Sequence, residues 1–186
     1  ATKTGREILQ TPVRISNIPI QSIKSAPVLN ADDILKGVSG IVVTRNMGIF
    51  DKHSSVSARG VGKEQARTLI LIDGVPINKL STGSANFGMI NQSLLQSVEV
   101  VKGPNSNIFG GNAMGGSVNY ITRDINDGLR ANIQTDYGSF NTIGTRAFSS
   151  YGKGGFFAGV SGFLRKSDGY NPATEIDSAT INMSLD

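Results

Sequence analysis

The sequence contains no cysteine, which excludes disulfide scaffolds and thiolate metal sites and leaves the cellular compartment open. Its single histidine, His53, has Asp51 nearby, but most metal sites need three or four converging donors. Charged residues are scarce at 17%, and the formal charge is +4. No long Lys/Arg run accompanies that balance, and aromatics at 6% are too sparse to stack bases, so nucleic acid is not an expected partner. The longest wholly aliphatic run is Leu69-Ile70-Leu71-Ile72, far short of a membrane helix. If the protein spans a bilayer, it must do so with strands. No signal peptide opens the sequence, which reads as a mature form. Neither a nucleophile–base set nor a cofactor motif appears, so no enzyme activity and no cofactor are expected.

What the chain has in quantity is glycine, 23 residues of 186, a supply suited to turn-rich β structure. The stretch that organises the rest is 98–123. Val98-Glu99-Val100-Val101 is a β-prone run with one charge, broken at Lys102-Gly103-Pro104. Gly110, Gly111, Gly115 and Gly116 then demand a sharp turn or a close approach to another backbone. Ser117-Val118-Asn119-Tyr120-Ile121-Thr122 follows, alternating polar and apolar as a half-buried strand does. A phosphate cradle would need Lys-Ser/Thr after the last glycine, or a glycine motif opening a helix, and neither is present.

Taken in order, residues 1–9 are polar and unpatterned, and 13–23 alternate loosely around Pro12 and Pro19, reading as an edge strand. Residues 30–37 predict a short surface helix. Asn30 is its cap, Asp32 and Asp33 lie in the first turn, Lys36 in the last, and Gly37 is the stop. Residues 41–44 form a β run, 45–53 a loop, and 55–60 a strand ending in Arg59-Gly60. Residues 68–77 predict a buried hairpin turned by Asp73-Gly74. Residues 78–91 read as a long polar loop with an exposed Phe87, and 90–96 as a short helix capped by Asn91. Beyond Asp124 the texture changes to segments with an apolar/polar dyad: 129–137, 143–151, 156–164 and 181–185. Short turns alternate there with a longer loop. That is the weak signature of transmembrane barrel strands, with a soluble meander as the alternative.

Several of these strings together resemble the plug domain of TonB-dependent outer-membrane transporters. Glu99-Val100-Val101-Lys102-Gly103-Pro104 matches the family's acidic-apolar-apolar-Arg-Gly-Pro, with lysine for arginine. Ile108-Phe109-Gly110-Gly111 and Gly115-Gly116-Ser117-Val118-Asn119-Tyr120-Ile121-Thr122 match the glycine turn and closing strand. Leu69-Ile70-Leu71-Ile72-Asp73-Gly74-Val75-Pro76 is almost the family's hairpin letter for letter, and Arg59-Gly60 is a further signature. Gly37-Val38-Ser39-Gly40-Ile41 keeps the turn of the family's Gly-Val-Pro-Gly-Val but loses its proline.

The resemblance implies a mixed α+β plug domain over 1–124, followed by antiparallel strands of an incomplete transmembrane β-barrel over 125–186. The whole barrel would have about 22 strands. It implies TonB-energised uptake of a scarce nutrient across the bacterial outer membrane, most naturally a metal chelate such as a ferric siderophore, haem or cobalamin. The implied partners are the TonB-ExbB-ExbD complex, through a segment at or before Ala1, the remaining barrel, outer-membrane lipid and the small-molecule chelate. Carried onto this chain, the apical substrate-binding residues are Asn46, Met47, Ile49, Phe50, Ser81, Asn86 and Phe87. The ionic lock between plug and barrel is Arg59, Glu99 and Lys102. The rival reading is a non-transporting surface binding or adhesion module that uses a plug-like fold.

Overall fold

A computed structural model of the chain describes residues 14–25, 28, 30–45, 53–58, 68–79, 81–104, 113–124, 128–169 and 176–185. The chain separates into two compact units, Ala1–Thr122 and Arg123–Asp186.

In the first unit, strand β1 (Arg14–Pro19) runs directly into helix α1 (Ile20–Ser25). A 3-10 helix (Ala31–Gly37), β2 (Ile41–Arg45) and β3 (His53–Ala58) follow. Next come β4 (Thr68–Ile72), β5 (Val75–Pro76), β6 (Ala85–Asn86) and two 3-10 turns, Phe87–Met89 and Gln92–Leu94. β7 (Leu95–Lys102) and β8 (Gly116–Thr122) close the unit. One five-stranded sheet has the order β1-β7-β8-β4-β5, and a smaller one the order β2-β3-β6. β1 is an edge strand, in keeping with the proline at its end, Pro19.

The core lies over the central strands. Val98, Val100, Val118 and Tyr120 are fully buried, joined by Ile70, Leu35 and Val56. β4 is buried on both faces, which explains its run of aliphatic residues without alternation. Asp73 and Gly74 take φ of 47° and 83°, the left-handed pair of a two-residue hairpin turn. Gly116 carries the close approach foreseen in the sequence: a Cβ there would collide with the Val101 carbonyl oxygen, and its φ of +151° is unfavourable for other residues. The turn at Gly110 and Gly111 lies outside the described residues.

Local expectations fail where tertiary contact overrides them. The strand expected over 13–23 ends at Pro19 and turns helical, burying Ile23. The helices expected over 30–37 and 90–96 are 3-10 turns, and the second is cut short because β7 claims Leu95 for the core. The polar loop over 78–91 contains β6 and a 3-10 turn.

The second unit is an antiparallel meander: β9 (Gly128–Gly138), β10 (Thr142–Lys153), β11 (Phe156–Ser167) and β12 (Ile176–Leu185). The pairing is continuous; Leu129 lies opposite Tyr151, and Tyr137 opposite Ile143. Strands of 10 to 12 residues are long enough to cross a bilayer at a tilt. The two faces are reversed relative to a water-soluble sheet. Leu129, Ile133, Tyr137, Phe156 and Leu164 are more than half exposed, while Thr142, Arg146, Ser150, Ser161 and Ser167 are buried.

Candidate functional site

The hairpin β4–β5 delivers the chain to the candidate recognition loop. Ile77 N–H still bonds the Ile70 carbonyl, and at Asn78 the backbone leaves β4 to bridge Ala85. Between them the chain closes on itself: Lys79 N–H donates to the Ser84 carbonyl at 2.8 Å, and Gly83 N–H to the Lys79 carbonyl at 2.8 Å. Lys79, Ser81 and Thr82 are exposed. Asn86 caps the following 3-10 turn, its Oδ1 accepting the Gly88 N–H at 3.0 Å. Ser81 stands on the surface, and Asn86 is half-buried with its side-chain oxygen engaged.

Phe87 requires a correction. The polar loop around it predicts exposure, but the residue is 2% exposed and its ring packs edge-on against Tyr120, centroids 6.1 Å apart. A large apolar ring one residue beyond a strand paired to β3 turns into the core because that burial is worth about 1.5–3 kcal/mol. Asn46, Met47, Ile49, Phe50 and Arg59 lie outside the described residues.

The remaining expected lock residues sit on β7, three positions apart. Strand alternation therefore sends Glu99 and Lys102 to opposite faces. Glu99 pairs in register with Asn17 and Asn119, Lys102 with Arg14 and Gly116. Both are half-buried. The two charges are thus not brought together by this strand. The end of β3 does approach the Lys102 end of β7: the Ala58 Cβ lies 3.6 Å from where a Gly116 Cβ would stand.

A different ionic cluster, not foreseen, lies inside the first unit. Arg45 Nε donates to Asp32 Oδ2 at 2.7 Å, and its Nη2 to Asp32 Oδ1 at 2.5 Å and Asp33 Oδ1 at 2.8 Å. Its place in the first turn of a surface helix predicts Asp32 to be a solvated capping charge, but it is 1% exposed. Asp33 does act at the helix start, accepting the Asn30 N–H at 2.8 Å, and also meets Lys36 at 2.7 Å. Burial pushes the Asp33 carboxyl up, but the bonds from Lys36 and Asn30 and the Arg45 charge outweigh it and hold its pKa below the usual range. Burial likewise works against the Arg45 charge, and the two carboxylates more than offset it. Beside them Tyr120, fully buried, donates to the Ala31 carbonyl at 3.1 Å. Its pKa rises well above 10.0 through burial and then through the neighbouring negative charges. Nothing in the sequence pairs Asp32 with Arg45, since 13 residues and a turn separate them.

On the second unit the buried face carries an ion pair across neighbouring strands, Arg146 Nη2 to Asp136 Oδ2 at 2.6 Å. None of these groups forms a reactive constellation. The charges of the two clusters are paired with one another.

The family described as TonB-dependent Receptor Plug Domain matches residues 7–117. Among curated proteins, the chain is 34% identical over 125 residues to the vitamin B12 transporter BtuB of Vibrio vulnificus strain YJ016, covering 67% of the chain and 20% of that protein. It is 27% identical over 184 residues to a hemin receptor of Yersinia enterocolitica, covering 92% of the chain and 26% of the relative. The chain thus spans between a fifth and about a quarter of the length of these relatives. Among solved structures, the alcaligin outer membrane receptor FauA from Bordetella pertussis superposes with a TM-score of 0.75 at 21% identity, over 98% of the chain and 30% of that structure. The ferric preacinetobactin receptor BauA from Acinetobacter baumannii gives 0.74 at 19%, over 97% and 26%. At those identities the likeness concerns the fold.

Proposed function

The chain belongs to the TonB-dependent receptor plug domain family, and from that premise we propose that it is the plug and first barrel strands of an outer-membrane active transporter. The cargo is a scarce nutrient in the form of a metal chelate, as a ferric siderophore, haem or cobalamin is. The working division is a plug over 1–124 and barrel strands over 125–186, a reading supported to within two residues by the compact units meeting at Thr122 and Arg123.

The observation that carries this reading is the reversed polarity of the second unit. A sheet that exposes Leu129, Ile133 and Leu164 while burying Arg146 and Ser150 is unstable as an aqueous fold and stable as a barrel wall facing lipid. The plug, by contrast, has an ordinary apolar core and folds around it.

In this mechanism no bond of the cargo is broken. The chelate binds on the extracellular side, partly to plug loops that include Asn46, Met47, Ile49, Phe50, Ser81 and Asn86. The TonB-ExbB-ExbD complex pulls on a segment at or before Ala1 and rearranges the plug. Arg59, Glu99 and Lys102 face charges of the barrel wall and retain the plug until that pull. Charges enclosed in a lumen are costly unless paired, so such contacts hold firmly and exchange for water when strained. Lysine at 102 cannot form the two-pronged fork that arginine makes, so that contact is the looser one.

The test is uptake by the whole receptor in paired bacterial hosts with and without TonB. Haemin, vitamin B12 and ferric enterobactin serve as probes. Uptake of one probe that vanishes without TonB is expected; equal uptake in both hosts, or none in either, overturns the reading.

A further inference from the structure

We propose that Asn78 is a positioning residue for ligand recognition: its side-chain amide fastens the returning limb 81–86, through Gly83, to β4, so that its exposed residues are presented in a fixed place. The functional half of this rests on the transport reading above.

Asn78 stands where the main chain departs from the hairpin, and there its side chain replaces the backbone in the ladder. Oδ1 accepts the Ile70 N–H at 2.7 Å, and Nδ2 donates to the Thr68 carbonyl at 3.2 Å. A carboxamide carries the same donor and acceptor as a peptide group, so β4 is satisfied as if the strand had continued. The backbone of Asn78 is thereby released to bridge Ala85. Ala85 in turn pairs with Ser54 of β3, so this one side chain stands at the junction of the two sheets.

The same Nδ2 also donates to the Gly83 carbonyl at 2.7 Å. One amide thus ties β4 on one side and the returning limb of the loop on the other. Gly83 takes a φ of 65°, which the tight closure onto Lys79 demands. Ordering a loop before the ligand arrives removes that ordering cost from binding, so affinity depends on the fastening even though Asn78 itself touches no ligand. Lys79 and Ser81 at the exposed end offer one positive charge and a hydroxyl, a set complementary to an anionic, oxygen-rich chelate, while the Thr82 hydroxyl is held 2.8 Å from that of Ser84. Only glutamine carries the same amide, and its extra methylene would carry the group past the Ile70 N–H and the Thr68 carbonyl. Aspartate would set a carboxylate against two carbonyl oxygens, and alanine would leave Ile70 N–H without its partner.

The experiment compares Asn78→Asp and Asn78→Ala with the parent in the whole receptor. Hydrogen exchange of residues 79–86 should accelerate roughly tenfold or more in both, with β7 and β8 unchanged. On whichever of haemin, vitamin B12 and ferric enterobactin the parent takes up, the half-saturation concentration should rise while the maximal rate holds. A merely structural role would instead lower the maximal rate or open the pore. Unchanged exchange in the loop overturns the proposal, as does accelerated exchange with an unmoved half-saturation concentration. If the parent takes up none of the probes, it is the transport reading that falls, and the exchange arm still decides whether Asn78 orders the loop.

Discussion

Arg45 grips Asp32 with two prongs, its Nε 2.7 Å from one carboxylate oxygen and its Nη2 2.5 Å from the other, in a site where the two side chains are 8% and 1% exposed. The pair joins the end of β2 to the 3-10 helix and lies under Tyr120. Removing one partner strands the other without water. Arg45→Met should therefore destabilise the plug by about 3–5 kcal/mol, whereas the double change with Asp32→Leu should recover most of that loss. Because the native chain has no cysteine, a fluorophore on Val42→Cys, an exposed position, reports plug unfolding in denaturant.

The same cluster sets a pH window at each end. Asp33 is held below its ordinary value of 3.8, so the stability it contributes is present above that value and is lost as pH falls through the lower folded one. Asp33→Asn should flatten the acid slope of plug stability. Tyr120 is raised above 10.0, so its contribution is present below that value and is lost as pH rises beyond it. Tyr120→Phe should remove the alkaline slope at the cost of one hydrogen bond, about 1 kcal/mol. Denaturation midpoints across pH check both.

Gly116 admits no side chain. Gly116→Ala must displace the Val101 carbonyl or break the pairing of Lys102 with Gly116, at a cost on the order of 1–3 kcal/mol. Gly37→Ala, with open space around it and no positive φ, should be close to neutral. Thermal unfolding of the two variants side by side makes the comparison.

Ile133 is 74% exposed, and in a water-soluble sheet an arginine there would pass unnoticed. Facing lipid, Ile133→Arg should cost about 2–4 kcal/mol if it lies near the bilayer midplane. Slowed assembly in the outer membrane, read as loss of the heat-modifiable barrel band on a gel, is the expected result.

Glu99 and Lys102 point to opposite faces of β7, so they answer to different partners. The effects of Glu99→Gln and Lys102→Gln on pore leakage in the whole receptor should add, with a coupling below about 0.5 kcal/mol. A large coupling would mean that the two form one site.

What the sequence determined on its own is the local grammar. The dyad of β9 to β11, the Asp73-Gly74 turn and the demand for glycine at 116 are each written in neighbouring residues, because alternation and positive φ are properties of a few consecutive positions. Tertiary structure decided the rest. Asp32 and Arg45 meet only once the chain has folded back; Phe87 sits in a polar stretch and turns inward because Tyr120 waits there; and Asn78 acquires its role from β4 and Gly83, neither of which adjoins it in sequence. Local pattern states which side chains share a face, but burial is a property of what that face meets, and only the folded chain supplies it.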